Sequence, residues 1–140
     1  MTISVEELNA MVRSAPFLQH YGFHVTAAGK GTCTVHFACD KSWLRPDGIV
    51  SGPVFMAAAD VAMWAAIITE LGRTAAAAVT VEMKTNFVSA AKNEDLWCTA
   101  TVRKIGGRVI FGTAECVARD GRLLAHHSLT YLRPAAKSNE

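Results

Sequence analysis

From Gly48 to Thr69 the chain carries a single charge, Asp60, in a run dominated by Ala, Met, Val, Ile, Trp and Phe. That composition favours a helix despite a few β-branched residues, and its lack of a polar face predicts burial nearly all round. Ser51-Gly52-Pro53 marks the start: Ser caps, Gly lets another group approach the backbone, and Pro is tolerated in the first turn. Gly72 marks the end. A carboxylate in the middle of such a helix requires a reason, because an unpaired buried charge is costly.

Around this helix the pattern has other periods. Ser4 with Glu7 three residues on predicts a short amphipathic helix over 5–13 that covers an edge or open face of the fold. A linker at 17–22 leads to a strand at 23–28, a turn at Gly29-Lys30-Gly31, and a strand at 32–39 with Cys33, Val35, Phe37 and Cys39 on its core face. After Gly72, Val79, Val81, Met83, Thr85 and Phe87 alternate with Thr80, Glu82, Lys84, Asn86 and Val88. Strands at 96–105 and 108–118 meet at Gly106-Gly107, a dipeptide suited to the positive φ values of a tight hairpin, and Asp120-Gly121 repeats the device before a strand at 122–132. The expectation is an α+β fold, an antiparallel sheet curled round one long helix.

Composition narrows the function. At 140 residues the chain suits one domain, 1–140, with a polar tail fraying after about 134. A net charge of +2, without basic runs interleaved with aromatics, argues against nucleic acid. The four cysteines form no CxxC pair and the Met1 end lacks signal-peptide character, so reduced thiols and a cytoplasmic location are expected. The central segment is barely long enough to cross a bilayer, and its Asp would cost about 2.5–3.5 kcal/mol there, so no membrane span is expected. His126 and His127 are adjacent on a strand and point to opposite faces, and no histidine has metal-ligand spacing. No metal, nucleotide loop or serine triad is indicated.

The element order, together with RPDGIVSGPVFMAAAD, VTVEMKTNFVSAAK and KIGGRVIFGTAECVARDGRLLAHHSLTYLRP, resembles the hot-dog-fold thioesterases, in particular the phenylacetate-degradation (PaaI-like) branch of the 4-hydroxybenzoyl-CoA thioesterase superfamily. In that branch a His-Gly-Gly motif opens the central helix and an Asp lies nine positions after the His; here Ser51-Gly52-Pro53 fills the motif and Asp60 lies nine after Ser51. The resemblance implies an acyl-CoA substrate, no cofactor beyond the coenzyme A of that substrate, and a homodimer or homotetramer. It implies Asp60 as nucleophile or general base, the Gly52 N–H as oxyanion donor, and Thr80 as a hydroxyl contacting the water or the carboxylate. Ser51 departs from the family by replacing the His, and Arg45 falls where a neutral Asn is usual; both are substrate-binding candidates. Pro53 removes a further N–H. Met56, Met63 and Trp64 are candidates for contact with the acyl group. Arg103, Lys104 and Arg108 at the glycine hairpin are candidates for the coenzyme phosphates. The competing reading is a non-catalytic hot-dog module that binds acyl-CoA or an acyl ligand.

Elementary physics points to the same pair of groups. Free N–H groups and the positive end of the helix dipole at Gly52 favour a developing oxyanion. Asp60, set among apolar side chains, has the chemistry of a base or nucleophile. At a rise of about 1.5 Å per residue, however, the two are roughly 12 Å apart along one helix, and a reacting carbonyl must lie about 3 Å from each. If both act on one thioester they come from different chains, and two helices packed antiparallel across a two-fold axis would form two equivalent sites.

Overall fold

The computed structural model describes residues 3–134; the tail expected to fray lies outside the described residues. Helix α1 (Val5–Ser14) starts with a complete capping box, the Ser4 hydroxyl accepting from the Glu7 N–H and the Glu7 carboxylate from the Ser4 N–H. Strands β1 (His24–Gly29) and β2 (Thr32–Phe37) follow, then helix α2 (Gly52–Leu71), then β3 (Val79–Phe87), β4 (Leu96–Ile105), β5 (Val109–Ala118) and β6 (Leu123–Leu132). Short 3-10 turns lie at Pro16–His20, Lys41–Trp43 and Arg73–Ala77.

The six strands form one antiparallel sheet in the order β1-β2-β4-β5-β6-β3. Its inner face wraps α2, which touches all six strands. This is the hot-dog arrangement. The inward positions of β2, Cys33, Val35 and Phe37, are buried while Thr32, Thr34 and His36 are partly exposed, as alternation requires. Gly112 on β5 lets the helix sit close: a Cβ there would lie 2.2 Å from Cε of Met63. α2 is apolar and long enough to span a membrane by composition alone, but most of it is buried inside the sheet.

The two sheet edges are treated differently. At β1 the Asn9 side chain of α1 donates to the Val25 carbonyl at 2.9 Å and accepts from the Val25 N–H at 2.7 Å, so the first helix does cover an edge. At β3 nothing among the described residues pairs with the outer edge. Val79 and Val81 are each 55% exposed there and Phe87 56%.

Two local expectations fail. Neither Gly106 nor Gly107 has positive φ. Gly106 is required sterically instead, since a Cβ would lie 2.9 Å from the Val109 carbonyl oxygen. The alternation along β3 is also interrupted, because the register with β6 runs Thr80 to Tyr131 and then Glu82 to Thr130. Val81 is therefore a bulge residue, and one extra residue swaps the faces on either side of it. Thr80 thereby shares the inner side with Met83 and Thr85 rather than the outer side with Glu82.

Candidate active site

Helix α2 is not buried all round. The sheet leaves uncovered a stripe that recurs at the helical period, Pro53, Met56, Ala57, Asp60 and Trp64. Asp60 is half-buried on this stripe and its carboxylate has two hydroxyl partners. Thr80 Oγ1 donates to Oδ1 at 2.6 Å, and the Tyr131 hydroxyl donates to the same oxygen while lying 2.9 Å from the Asp60 backbone carbonyl oxygen. Oδ2 has no hydrogen-bond partner among the described residues. The β3 bulge makes this possible by bringing Thr80 beside Tyr131, its register partner.

Tyr131 is 2% exposed. Burial, and after it the Asp60 charge, raises its phenol above the ordinary tyrosine range, so it remains protonated and a donor at neutral pH. The motif reading missed this residue. Its signal was the β6 pattern, in which Leu129 and Tyr131 occupy consecutive inward positions and the tyrosine alone brings a hydroxyl to the core.

Asp60, Thr80 and Tyr131 stand at one side of a cavity of about 480 Å³. The rest of its wall is apolar: Phe17 and Leu18 from the Pro16–His20 turn, Ala57, Val61 and Trp64 from α2, and Ala15, Ala78 and Val79. Trp64 is held by its indole N–H, which donates to the Ala76 carbonyl at 3.0 Å. The turn is held by stacking of Tyr21 between Phe23 and Trp43, with ring centroids 5.0 and 4.8 Å apart.

Gly52 opens onto a second cavity, of about 420 Å³, lined also by Arg45, Ile49, Phe55, Phe87, Val88 and Ser89. It is the first residue of α2, so its N–H has no intrahelical acceptor, and it donates to no group among the described residues. A Cβ on Gly52 would sit 3.3 Å from the Phe87 ring. Ser51 occupies the N-cap position, but its side chain makes no capping bond; its N–H donates to the Trp43 carbonyl at 3.0 Å, which anchors the helix start. Arg45 is exposed, lines the Gly52 cavity and pairs with Asp47 at 3.0 Å.

Other expected site residues fall elsewhere. Met63 lines neither cavity: three residues on from Asp60 it turns toward the sheet and is wholly buried against Gly112. Met56 is 38% exposed on the open stripe, outside both cavities. Arg103, Lys104 and Arg108 are exposed at the β4–β5 hairpin and line neither cavity; the Arg103 Nε–H donates to Thr113 Oγ1 and the Arg108 Nε–H to the Arg133 carbonyl, each at 2.9 Å. His126 and His127 do face opposite sides. His127 is buried, with one ring nitrogen 2.8 Å from Thr85 Oγ1 and the other 3.6 Å from Cys116 Sγ, a satisfied core histidine. Among the described residues no group of His, Cys, Asp and Glu is arranged to hold a metal.

A structure of a thioesterase from Haemophilus influenzae superposes with a TM-score of 0.88, at 18% identity, over 100% of this chain and 96% of that one. Zebra fish thioesterase superfamily member 2 gives 0.84 at 22% identity over 95% and 100%. A mutant of the phenylacetic acid degradation protein PaaI from Thermus thermophilus gives 0.76 at 22% identity over 86% and 100%. At these identities the likeness is one of fold. No curated protein matches the sequence. Residues 47–125, which run from the loop before α2 through the Asp60 stripe into β6, match the family described as the thioesterase superfamily. This chain belongs to the thioesterase superfamily.

Proposed function

We propose that the protein hydrolyses small or medium acyl-CoA thioesters, aromatic acyl groups included, as a homodimer or a homotetramer of such dimers, and that it lies in the PaaI-like branch. The observation that carries this reading is the hydroxyl-held carboxylate of Asp60 at an apolar cavity, with an unpaired helix N-terminal N–H at a second cavity of the same chain. Asp60 takes a proton from water as its oxygen adds to the thioester carbonyl carbon, or attacks that carbon itself. The resulting oxyanion accepts a hydrogen bond from Gly52. In the first case collapse breaks the C–S bond, the proton on Asp60 passes to the departing thiolate and the acid is released; in the second the thiolate leaves as the Asp60 anhydride forms, and the water that cleaves the anhydride supplies the thiolate's proton. No cofactor is needed for these steps, and a cytoplasmic setting suits an acyl-CoA substrate.

Gly52 and Asp60 of one chain stand at different cavities, which supports a site assembled from two chains. The unpaired edge of β3, on which Val79, Val81 and Phe87 are exposed among polar residues, supports a second copy as the partner, since a free edge invites strand pairing. Thr80 orients Asp60, Arg45 lies at the cavity on the Gly52 side, Ser51 precedes Gly52 at the N-cap and lines neither cavity, and Trp64 forms acyl-pocket wall.

The test is thiol release from aryl-, short- and medium-chain acyl-CoAs, with Asp60→Asn beside the wild type. The amide oxygen can still accept both hydroxyls, so the variant stays folded while losing about 10²–10⁴-fold in rate with the general base gone. Binding of acyl-CoA without turnover, or turnover indifferent to Asp60, would make the protein an acyl-ligand binding module instead.

A further inference from the structure

Asp60 is held asymmetrically. Both donors reach Oδ1 and neither reaches Oδ2, so the carboxylate cannot turn about its Cβ–Cγ bond without giving up both bonds. The two donors are not equivalent. Thr80 carries its hydroxyl on a rotatable Cα–Cβ bond one residue before a bulge, whereas Tyr131 lies on β6, flanked by β5 and β3, with its ring in the core. A phenol fixed by a buried ring sets a direction, while a threonine hydroxyl turns with its side chain.

We propose that Tyr131 is a positioning residue for the reaction: its hydroxyl pins Oδ1 of Asp60 and thereby assigns Oδ2 as the oxygen that meets water or the thioester carbonyl. The proposal deepens the thioesterase reading and rests on it. Asp60 and Tyr131 are the only titratable side chains lining their cavity among the described residues; in the two-chain site the Gly52 side adds the charge of Arg45, which stands at that side's cavity. A donor on Oδ1 stabilises the ionised carboxylate, which is the form able to act as base or nucleophile. It also withdraws one oxygen from the chemistry, so a single oxygen is aligned in advance.

The experiment compares pH–rate profiles of wild type, Tyr131→Phe and Asp60→Asn on the best substrate of the acyl-CoA panel, with melting temperatures alongside. Tyr131→Phe keeps the ring and deletes the hydroxyl. The expected result is a kcat lower by about 10- to 100-fold, as for loss of a hydrogen bond to a charged group, little change in KM, and an acid limb moved to higher pH. A complementary substitution moves the limb the other way. The chain has two tyrosines, so a Tyr21→Phe background grown on difluorotyrosine carries the more acidic phenol at position 131 alone, and its acid limb moves to lower pH.

A Tyr131→Phe profile with an unmoved acid limb, whatever the change in melting temperature, overturns the assignment and leaves the thioesterase reading intact if Asp60→Asn is inactive. Absence of turnover by the wild type overturns both. Should Tyr131→Phe fail to fold, the fluorinated protein decides: an unmoved limb there overturns the proposal.

Discussion

Two variants, one defective at the start of α2 and one near its middle, distinguish a site within one chain from a site between two. Gly52→Pro removes the N–H at the first helical position, where proline is readily accepted. Ser51 before it already has φ −63° and ψ 140°, the extended conformation a following proline demands. The ring edge of Phe87 must yield by a few tenths of an ångström. Loss of one oxyanion donor lowers the rate by about 10²–10³, and Asp60→Asn by about 10²–10⁴, so each homodimer retains about 1% or less. Random co-assembly of the two variants makes about half the dimers mixed, each with one intact and one doubly defective site, so a two-chain site restores about a quarter of wild-type activity. A site confined to one chain restores none. The assay is thiol release by the co-refolded mixture, compared with each variant refolded alone. Recovery no greater than the sum of the two would refute the cross-chain geometry, and with it the inference from the roughly 12 Å between the groups along the helix.

Two further outcomes follow from the same structure. Val81→Lys replaces an exposed apolar side chain of the free β3 edge, 55% exposed, with a charge; light scattering should report a monomer, and thiol release should fall with the mass. An unchanged mass would mean that chains associate elsewhere. Asp95 ties the end of β2 to the start of β4: it accepts from the Cys39 N–H and pairs with His36 Nε2, both at 2.9 Å. The Cys39 N–H is the largest of the influences that lower its carboxyl below the ordinary value, with His36 and Arg119 adding to it. A depressed folded value means the stabilisation is fully present above the unfolded value of about 3.9 and is lost as pH falls through the folded one. In urea titrations the wild type should therefore exceed Asp95→Asn in stability at neutral pH, with the gap closing below about pH 4; a gap independent of pH would count against this account.

The sequence made the elements legible because they are set by local patterns. The Ser4–Glu7 capping box, the alternation of β2 and the apolar run of α2 each act within a few residues, and each element forms where its pattern lies, except that β2 ends at Phe37 and leaves Cys39, expected on its core face, half-buried beyond the strand. Asp60 was legible for a related reason, as the one charged exception in that run. What was not legible depends on partners distant in the chain. The bulge at Val81 is a mismatch of β3 against β6, so alternation read along β3 alone puts Thr80 on the wrong side. Met63 has its place because Gly112, 49 residues on, has no side chain. Tyr131 is 71 residues from the carboxylate it meets, in a stretch that carries the resemblance without marking any one residue for the site.

The open stripe of α2 and the open edge of β3 are not separate deficiencies of the monomer. The Thr80 hydroxyl on Asp60 joins them, so the catalytic candidate sits where helix and edge strand meet. Covering either one in water would remove apolar surface: Met56 and Trp64 on the helix, Val79, Val81 and Phe87 on the strand. A second copy docked edge to edge would cover both at once, and would turn the half-exposed Asp60 cavity into an enclosed one where a hydrogen-bonding N–H acts in a lower dielectric. On this account the exposure of Asp60 in one chain is the reason association and catalysis are coupled. The Val81→Lys monomer should then lose activity although Asp60, Thr80, Tyr131 and Gly52 are all still present in it.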